Sequence, residues 1–381
     1  MATQPPEPII CIVNSADESA SRSYERVKSS DASASRNYEP RLRPHGVASL
    51  LLAAVLLMFL SPSESFKSFT SSNAGKAATP RGLLFSQGNG KDVKTSDVFS
   101  LESIRSTLVR QEETIIFALI ERAQYRKNRK IYDSKDYDGS LMTADGQPVS
   151  FLEFMLMETE KLHSKVRRYT SPEEHPFYPA LLPTPILPEL NYPQLLVTEK
   201  ILVDVNAEVM KWYVHKLTDQ LCVGGDDEQH GSSVLCDISA MQAISRRVHY
   251  GKFVAESKFK KDPDIYTRLV AAGDVVGILE LLTNVEVERK VLRRAFAKAS
   301  TYGQDITGTT EGYKVEPRLI ADIYRDMIIP LTKDVEVRYI FRRVGAMPPP
   351  ADTYFQYCRG PMDAFDDPLA PGDFKVSAKR V

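Results

Sequence analysis

The sequence lacks the residue patterns of most nucleophilic, metal-dependent and cofactor-dependent enzymes. Its six histidines form no HExxH pair, and its four cysteines, Cys11, Cys222, Cys236 and Cys358, form no CxxC pair. Neither a metal site nor a disulfide framework is therefore expected. The GxGxxG, GxxxxGK[ST] and GxSxG motifs are also missing. Their absence argues against dinucleotide-binding, P-loop and nucleophile-elbow enzymes, and no cofactor is expected.

An excess of charge of either sign is missing too. Lysine and arginine number 49 and aspartate and glutamate 50, so the formal net charge is −1. Such a balance gives no long-range attraction to phosphate backbones or anionic lipids, and no nucleic-acid partner is expected. Any basic residue that matters for function must act locally.

One long apolar run is present, and it is too short to cross a bilayer. It covers residues 47–60 (VASLLLAAVLLMFL). As a helix this run would span about 21 Å, against roughly 30 Å of hydrocarbon, so stable membrane insertion is not expected. It lies between Ser- and Ala-rich stretches, which are typical of disorder. Residues 1–97 are interpreted as a disordered targeting region. A secretory signal far from Met1 and an unusually acidic organelle transit peptide both remain open.

Helical periodicity begins near residue 100. Apolar residues recur at helical spacing from Leu101 to Leu119, and Ser150 with Glu153 predicts a capping box. Further helices are expected over residues 205–221, from Asp237 as N-cap to residue 259, from Thr283, and over 317–343 with an interruption at Pro330. No alternating strand pattern follows residue 100. The predicted fold is all-α, a multi-helix bundle over residues 98–343 without significant β-sheet, followed by a disordered Pro-rich tail at 344–381.

Several polar residues lie on or beside helix faces that are otherwise apolar. Arg247 and Lys258 are eleven residues apart, about three helical turns, so they share one face. The pairs Asn284/Glu288 and Thr332/Glu336 have i, i+4 spacing, and Arg105 lies beside an apolar stripe. Each alone is most often a solvated surface charge. Because cations outnumber the obvious acids, the group predicts an anion site within the bundle.

Five stretches of the sequence resemble the eukaryotic chorismate mutases of plants and fungi. They are residues 103–117, 173–177, 191–194, 245–259 and 329–339, in the order in which the family has them. The resemblance covers roughly residues 98–343. It implies an all-helical, homodimeric isomerase that converts chorismate to prephenate by a Claisen rearrangement in phenylalanine and tyrosine biosynthesis, without a cofactor. Plastid localisation is expected, with the secretory pathway or cytosol as alternatives.

The same resemblance implies roles for individual residues. Arg105, Arg247, Lys258 and Glu336 would be catalytic, and Asn284, Glu288 and Thr332 would bind the substrate. Tryptophan and tyrosine would act as effectors, bound between subunits by Arg167, Arg168, Gly231, Ser232 and Tyr324, with Glu112, Arg247 and Arg294 as a charged link to the pocket.

Two segments depart from the family pattern, residues 195–205 and the tail from Val344. The competing hypothesis is a catalytically silent helical protein that binds aromatic amino acids or a protein partner. The intact set of pocket residues weighs against it.

Overall fold

The computed structural model describes residues 101–137, 140–143, 145–188, 190, 194–197, 203–304 and 312–359, with backbone alone for residues 101–102. The expected targeting region 1–97, its apolar segment 47–60 and residues 191–193 lie outside this part. Within it, no helix is both long enough and apolar enough to span a bilayer.

The described residues form α-helices joined by turns and by longer irregular segments that include 3-10 and π turns, and the only β-pairing among them is two isolated bridges. The predicted all-α class is thereby confirmed. In chain order the helices are α1 (Leu101–Arg122), α2 (Phe151–Lys165), α3 (Asn206–Trp212), α4 (Thr218–Leu221), α5 (His230–His249), α6 (Gly251–Phe259), α7 (Pro263–Ala272), α8 (Val275–Leu282), α9 (Val285–Tyr302), α10 (Pro317–Ile323), α11 (Ile329–Arg343) and α12 (Phe355–Cys358).

Side-chain caps determine where two of these helices begin. At α2 the predicted capping box is confirmed, since Ser150 and Glu153 each accept a hydrogen bond from the other's backbone N–H. At α9 the cap is Asn284, whose side-chain oxygen accepts from Val287 N at 3.1 Å. The prediction of Thr283 as the cap is wrong because Thr283 is the extended residue that ends α8. Both residue types can cap a helix, so the local pattern did not distinguish them.

Asp237 lies inside α5, so its prediction as an N-cap is also wrong. The helix begins at His230, about two turns earlier, and buries Asp237 completely against α1. There Arg122 Nε donates to Asp237 Oδ1 at 2.6 Å, and the Tyr132 and Tyr213 hydroxyls donate to the same carboxylate at 2.8 Å each. A buried carboxylate needs such partners, and this one ties α5 to α1 and to the turn after α3.

The predicted interruption near Pro330 takes the form of a wider helical turn. A π turn at Tyr324–Ile328 joins α10 to α11, and the residues on either side of it keep right-handed helical backbone. Proline has no N–H, and its ring clashes with the carbonyl four residues earlier in a regular α-helix. The π turn changes the spacing just before Pro330, which lets the helix continue toward Arg343.

The core forms where α1 packs along α5, α6 along α11, and α9 along α10. Val203 and Val205, at one end of the divergent segment 195–205, are buried in this core. Leu195, at the other end, is buried in a smaller cluster with Ile104, Tyr250 and Phe253.

The tail prediction is wrong for residues 344–359, which pack on the same core. Tyr354 and Cys358 are buried, and the Tyr354 hydroxyl donates to Asp334 Oδ1 at 2.5 Å. The Pro- and Asp-rich average composition of the tail hid this short aromatic segment. Residues 360–381 lie outside the described part.

Candidate active site

Two cations of the predicted site project from nearly continuous helices. Tyr250 alone separates α5 from α6, and its backbone is right-handed helical, with φ −63° and ψ −15°. Arg247 and Lys258 therefore stay on one face, as their spacing predicted. That face meets α11, where Arg247 contacts Thr332 and Lys258 contacts Glu336.

Arg247 is a buried cation with unused hydrogen-bonding capacity. It is 4% exposed, and its Nη1 donates to Thr332 Oγ1 at 3.3 Å. Thr332 is itself fixed by donating to the Ile328 carbonyl at 2.6 Å. Within the described part of the chain, Arg247 Nε has no hydrogen-bond partner, and burial lowers the pKa of this guanidinium. An anionic group bound here would offset the energetic cost of burying the guanidinium charge and would accept a hydrogen bond from Arg247 Nε.

Lys258 and Glu336 form a second pair across the same two helices. The Lys258 ammonium donates to the Leu282 carbonyl at the end of α8 and lies 3.4 Å from Glu336 Oε2. Glu336 is 6% exposed. Burial raises the pKa of its carboxyl, while the nearby Lys258 charge opposes that rise. The pair thus offers an ammonium donor beside a carboxyl group that burial biases toward its neutral, hydrogen-bond-donating form.

Glu288 joins this cluster through Lys333, which the sequence pattern did not predict as a site residue. Its Oε1 lies 2.8 Å from Lys333 Nζ, and Lys333 is buried on α11 next to Thr332. Its place directly after Thr332 in the matching stretch 329–339 was the available signal. Asn284 is exposed at the start of α9, where its oxygen is used as the cap. Its amide N–H groups remain to contact a ligand.

Arg105 is not brought into contact with the other predicted site residues. It is exposed on the first turns of α1 and forms no ion pair with any described residue. The adjacent Ile104 packs with Tyr250 and Phe253, which places this turn of α1 beside the start of α6. The assembled cluster therefore consists of Arg247, Lys258, Glu288, Thr332, Lys333 and Glu336, with Asn284 and Arg105 at its margin.

The predicted effector residues fall into two separate groups. Arg167 and Arg168 follow α2, and Arg168 Nη1 donates to Gln242 Oε1 of α5 at 2.8 Å. Gly231 and Ser232 lie in the first turn of α5, about eleven residues before Gln242. This separation corresponds to roughly 16 Å along the helix axis. Within one chain the two groups therefore lie at different points along α5.

Tyr324 belongs with the predicted charged link rather than with Arg167 and Arg168. It is completely buried, and burial raises the pKa of its hydroxyl, with the charge of Arg247 opposing. The other charges acting on it are Glu112 and Arg294. These two form a bidentate ion pair, in which Arg294 Nε donates to Glu112 Oε2 at 2.7 Å and Arg294 Nη2 donates to Glu112 Oε1 at 2.5 Å. Among the described residues, no hydrogen bond or ion pair joins Tyr324 to either arginine of the effector group.

The chain is similar to chorismate mutases in sequence and in structure. Residues 232–337 match the family model described as Chorismate mutase type II. Chorismate mutase 3, chloroplastic, of Arabidopsis thaliana is 45% identical over 274 residues, 70% of this chain and 84% of the relative. The chorismate mutase of Schizosaccharomyces pombe is 42% identical over 252 residues, 65% of this chain and 98% of the relative.

A solved structure shows the same helical fold. The Candida albicans chorismate mutase in complex with L-Trp aligns with a TM-score of 0.62 at 43% identity, covering 66% of this chain and 94% of that one. AtCM1 with tyrosine bound in its allosteric site aligns with a TM-score of 0.58 at 42% identity, covering 65% of this chain and 98% of that one. The chain therefore belongs to the type II chorismate mutase family, the isomerases that rearrange chorismate to prephenate.

Proposed function

We propose that the cluster between α5–α6 and α11 is the site where this chain rearranges chorismate. The observation that carries the proposal is the pair of contacts Arg247–Thr332 and Lys258–Glu336. They place a spare guanidinium donor, an ammonium group and a partly desolvated carboxyl on one short interface. Chorismate is a dianion, and its reaction needs charge and shape complementarity rather than a nucleophile.

The rearrangement itself breaks one carbon–oxygen bond of the ether link and forms one carbon–carbon bond within the same molecule. The electrons move in a closed cycle, so no group is transferred to the protein. The protein's contribution is to hold the flexible substrate in the compact conformer that reacts. Arg247 binds one carboxylate through its planar fork, and the exposed Arg105 of α1 binds the other as the substrate enters.

Lys258 and Glu336 act on the ether oxygen, where negative charge grows as the carbon–oxygen bond breaks. Donors that are in place before the reaction stabilise such charge most effectively. Lys258 is held in place by the Leu282 carbonyl. Beside it, a neutral Glu336 donates a second hydrogen bond to the same ether oxygen. Glu288, held by Lys333, and Asn284 bind the ring hydroxyl of the substrate.

Purified full-length protein incubated with chorismate tests this proposal through the loss of chorismate absorbance. We expect prephenate to accumulate without added metal or cofactor. A folded protein that leaves chorismate unchanged would instead support the catalytically silent helical protein.

We expect activity to fall as the pH rises through the Glu336 pKa in the substrate complex. Burial raises this pKa, so the neutral, donating form persists to higher pH than for an ordinary glutamate. A carboxylic acid kept neutral so that it can donate is the principle illustrated by ketosteroid isomerase. The change Glu336→Gln keeps a donor at every pH, so it should flatten the alkaline limb of the pH–rate profile.

The other charges around Glu336 set the pH at which activity falls, but they do not change the direction of the effect. Lys258 of α6 and Lys333 of α11 favour the ionised form, whereas Glu288 of α9 favours the neutral one. Arg247 of α5 also acts on the carboxyl. Glu288→Gln serves as the control, because it should shift the limb without removing it. A Glu336→Gln enzyme with the wild-type profile would assign the limb to another group.

We also propose that aromatic amino acids regulate the enzyme by binding between two copies of the chain. The supporting observation is the roughly 16 Å along one α5 between Gln242, which Arg168 contacts, and Gly231. The tryptophan and tyrosine bound by the two relatives above also support it. We expect tryptophan to raise activity at low chorismate and tyrosine to lower it. Saturation curves with and without each amino acid measure this. Arg167→Ala and Ser232→Ala should each weaken both responses, and curves that neither amino acid moves would contradict the effector site.

We propose plastid import as the role of residues 1–97. The plant relatives that this chain resembles are named chloroplastic. Fluorescence imaging of a C-terminal fusion distinguishes the stroma from the secretory pathway and the cytosol.

A further inference from the structure

Gly251 lies at a point where α6 closely approaches α11. It is the first residue of α6, four residues after Arg247 and seven before Lys258. At about 100° per residue, these three positions fall within roughly 40° of one another around the helix. Gly251 is therefore on the catalytic face itself, between the two cations.

The space beside Gly251 is filled by atoms of the opposing site residues. A Cβ at this position would lie 2.9 Å from the Thr332 carbonyl oxygen, 3.1 Å from Thr332 Cγ2 and 3.3 Å from Glu336 Cγ. Ordinary contacts of this kind begin near 3.4 Å. The nearest atom belongs to the backbone of α11, which cannot rotate away as a flexible side chain can. Any side chain at residue 251 therefore forces α6 and α11 apart by roughly 0.5 Å.

The two catalytic contacts lie on either side of this close approach. Arg247 meets Thr332 at 3.3 Å on one side, and Lys258 meets Glu336 at 3.4 Å on the other. Both distances depend on the gap between the same two helices. One added methyl group would lengthen both together, although it touches neither cation.

We propose that Gly251 is a positioning residue, which sets the α6–α11 gap and with it the placement of both donor pairs around the reacting ether. The assignment rests on the site proposed above. Glycine is unfavourable within a run of helical backbone, where alanine is preferred, and Gly251 lies within such a run at the junction of α5 and α6. Its presence here is explained by the close approach, because its backbone φ is not in the left-handed region that requires glycine.

The variant Gly251→Ala tests this role in the full-length enzyme. We expect kcat to fall about tenfold or more, because a misplacement of 1 Å in such a site can cost roughly 10²-fold. KM should rise by a smaller factor, about threefold or less, because the Arg247 contact that binds the carboxylate is lengthened but kept, whereas the Lys258–Glu336 pair acts mainly in the transition state. Helical content should be kept, and the melting temperature should fall by only a few degrees, because the cost of forcing the helices apart is partly offset by alanine's higher helix propensity. The larger Gly251→Val should lower kcat further.

The matched control is Gly224→Ala, since an added Cβ at this exposed glycine meets no atom within 4 Å. Its kinetics should match the wild type. A Gly251→Ala enzyme with wild-type kcat overturns the positioning role while leaving the proposed site intact. So does one whose apparent kcat falls only in proportion to the folded fraction, measured by near-ultraviolet circular dichroism, at unchanged KM. A Gly251→Ala chain that cannot fold also overturns it, because the glycine would then serve the fold. A wild-type enzyme without activity would overturn the site and this assignment together.

Discussion

Lys258→Ala should lower the turnover of chorismate by about 10²–10³-fold without loss of helical structure. Lys258 is held by the Leu282 carbonyl and lies 3.4 Å from Glu336, so its ammonium is placed before substrate arrives. Removing one such donor from a developing oxyanion typically costs about 3–4 kcal/mol in the transition state. Steady-state kinetics on protein with unchanged circular dichroism measure the effect. Arg247→Ala should give a comparable loss in kcat/KM, with a larger rise in KM because it binds the carboxylate before reaction.

The control for Lys258 is Lys260→Ala, two residues further on the same helix end. Lys260 is about half exposed and lies 3.6 Å from Glu256 rather than facing the pocket. Its replacement should leave kcat within about twofold, since the Lys260 ammonium is half exposed and the buried Glu256 keeps its contacts with Tyr339 and Arg343. Near-normal rates in Lys258→Ala or in Arg247→Ala would refute the assignment of that residue to catalysis.

Asp237→Ala should destabilise the fold by about 3–5 kcal/mol, the largest stability effect that we expect from a single substitution. Arg122 has no exposed surface, and the change leaves it without its acid partner. It also removes the acceptor of the Tyr132 and Tyr213 hydroxyls. An uncompensated buried charge carries a penalty of this size. Chemical denaturation followed by circular dichroism gives the free energy of unfolding.

Asp219→Ala is the matched control for that measurement. Asp219 also pairs with a cation, Lys127, but its side chain is 52% exposed. Water can replace the lost partner there, so the free energy of unfolding should change by less than about 1 kcal/mol. Equal effects of the two substitutions would mean that burial does not determine the contribution of the Arg122–Asp237 pair.

The sequence by itself determined the features of this protein that depend on local spacing. Helical periodicity predicted the all-α class and the first long helix. The capping box at Ser150 was read correctly because both partners lie within one turn. The shared face of Arg247 and Lys258 followed from eleven residues of helix, and their relation survived the junction at Tyr250 because that residue stays helical. The i, i+4 pair Thr332 and Glu336 was predictable for the same reason.

Only the tertiary structure decided the features that depend on residues far apart in the chain. Arg122 and Asp237 are 115 residues apart, so nothing local distinguished a buried ion-pair partner from a helix cap. Lys333 became a site residue because α9 brings Glu288 to it. Gly251 became significant because α11 crosses it. Periodicity specifies the direction in which a side chain points along its own helix, whereas the neighbour it meets is set by packing between helices. In this enzyme the local sequence determines which residues share a helix face, and the packing of α6 against α11 determines the distances between the donors.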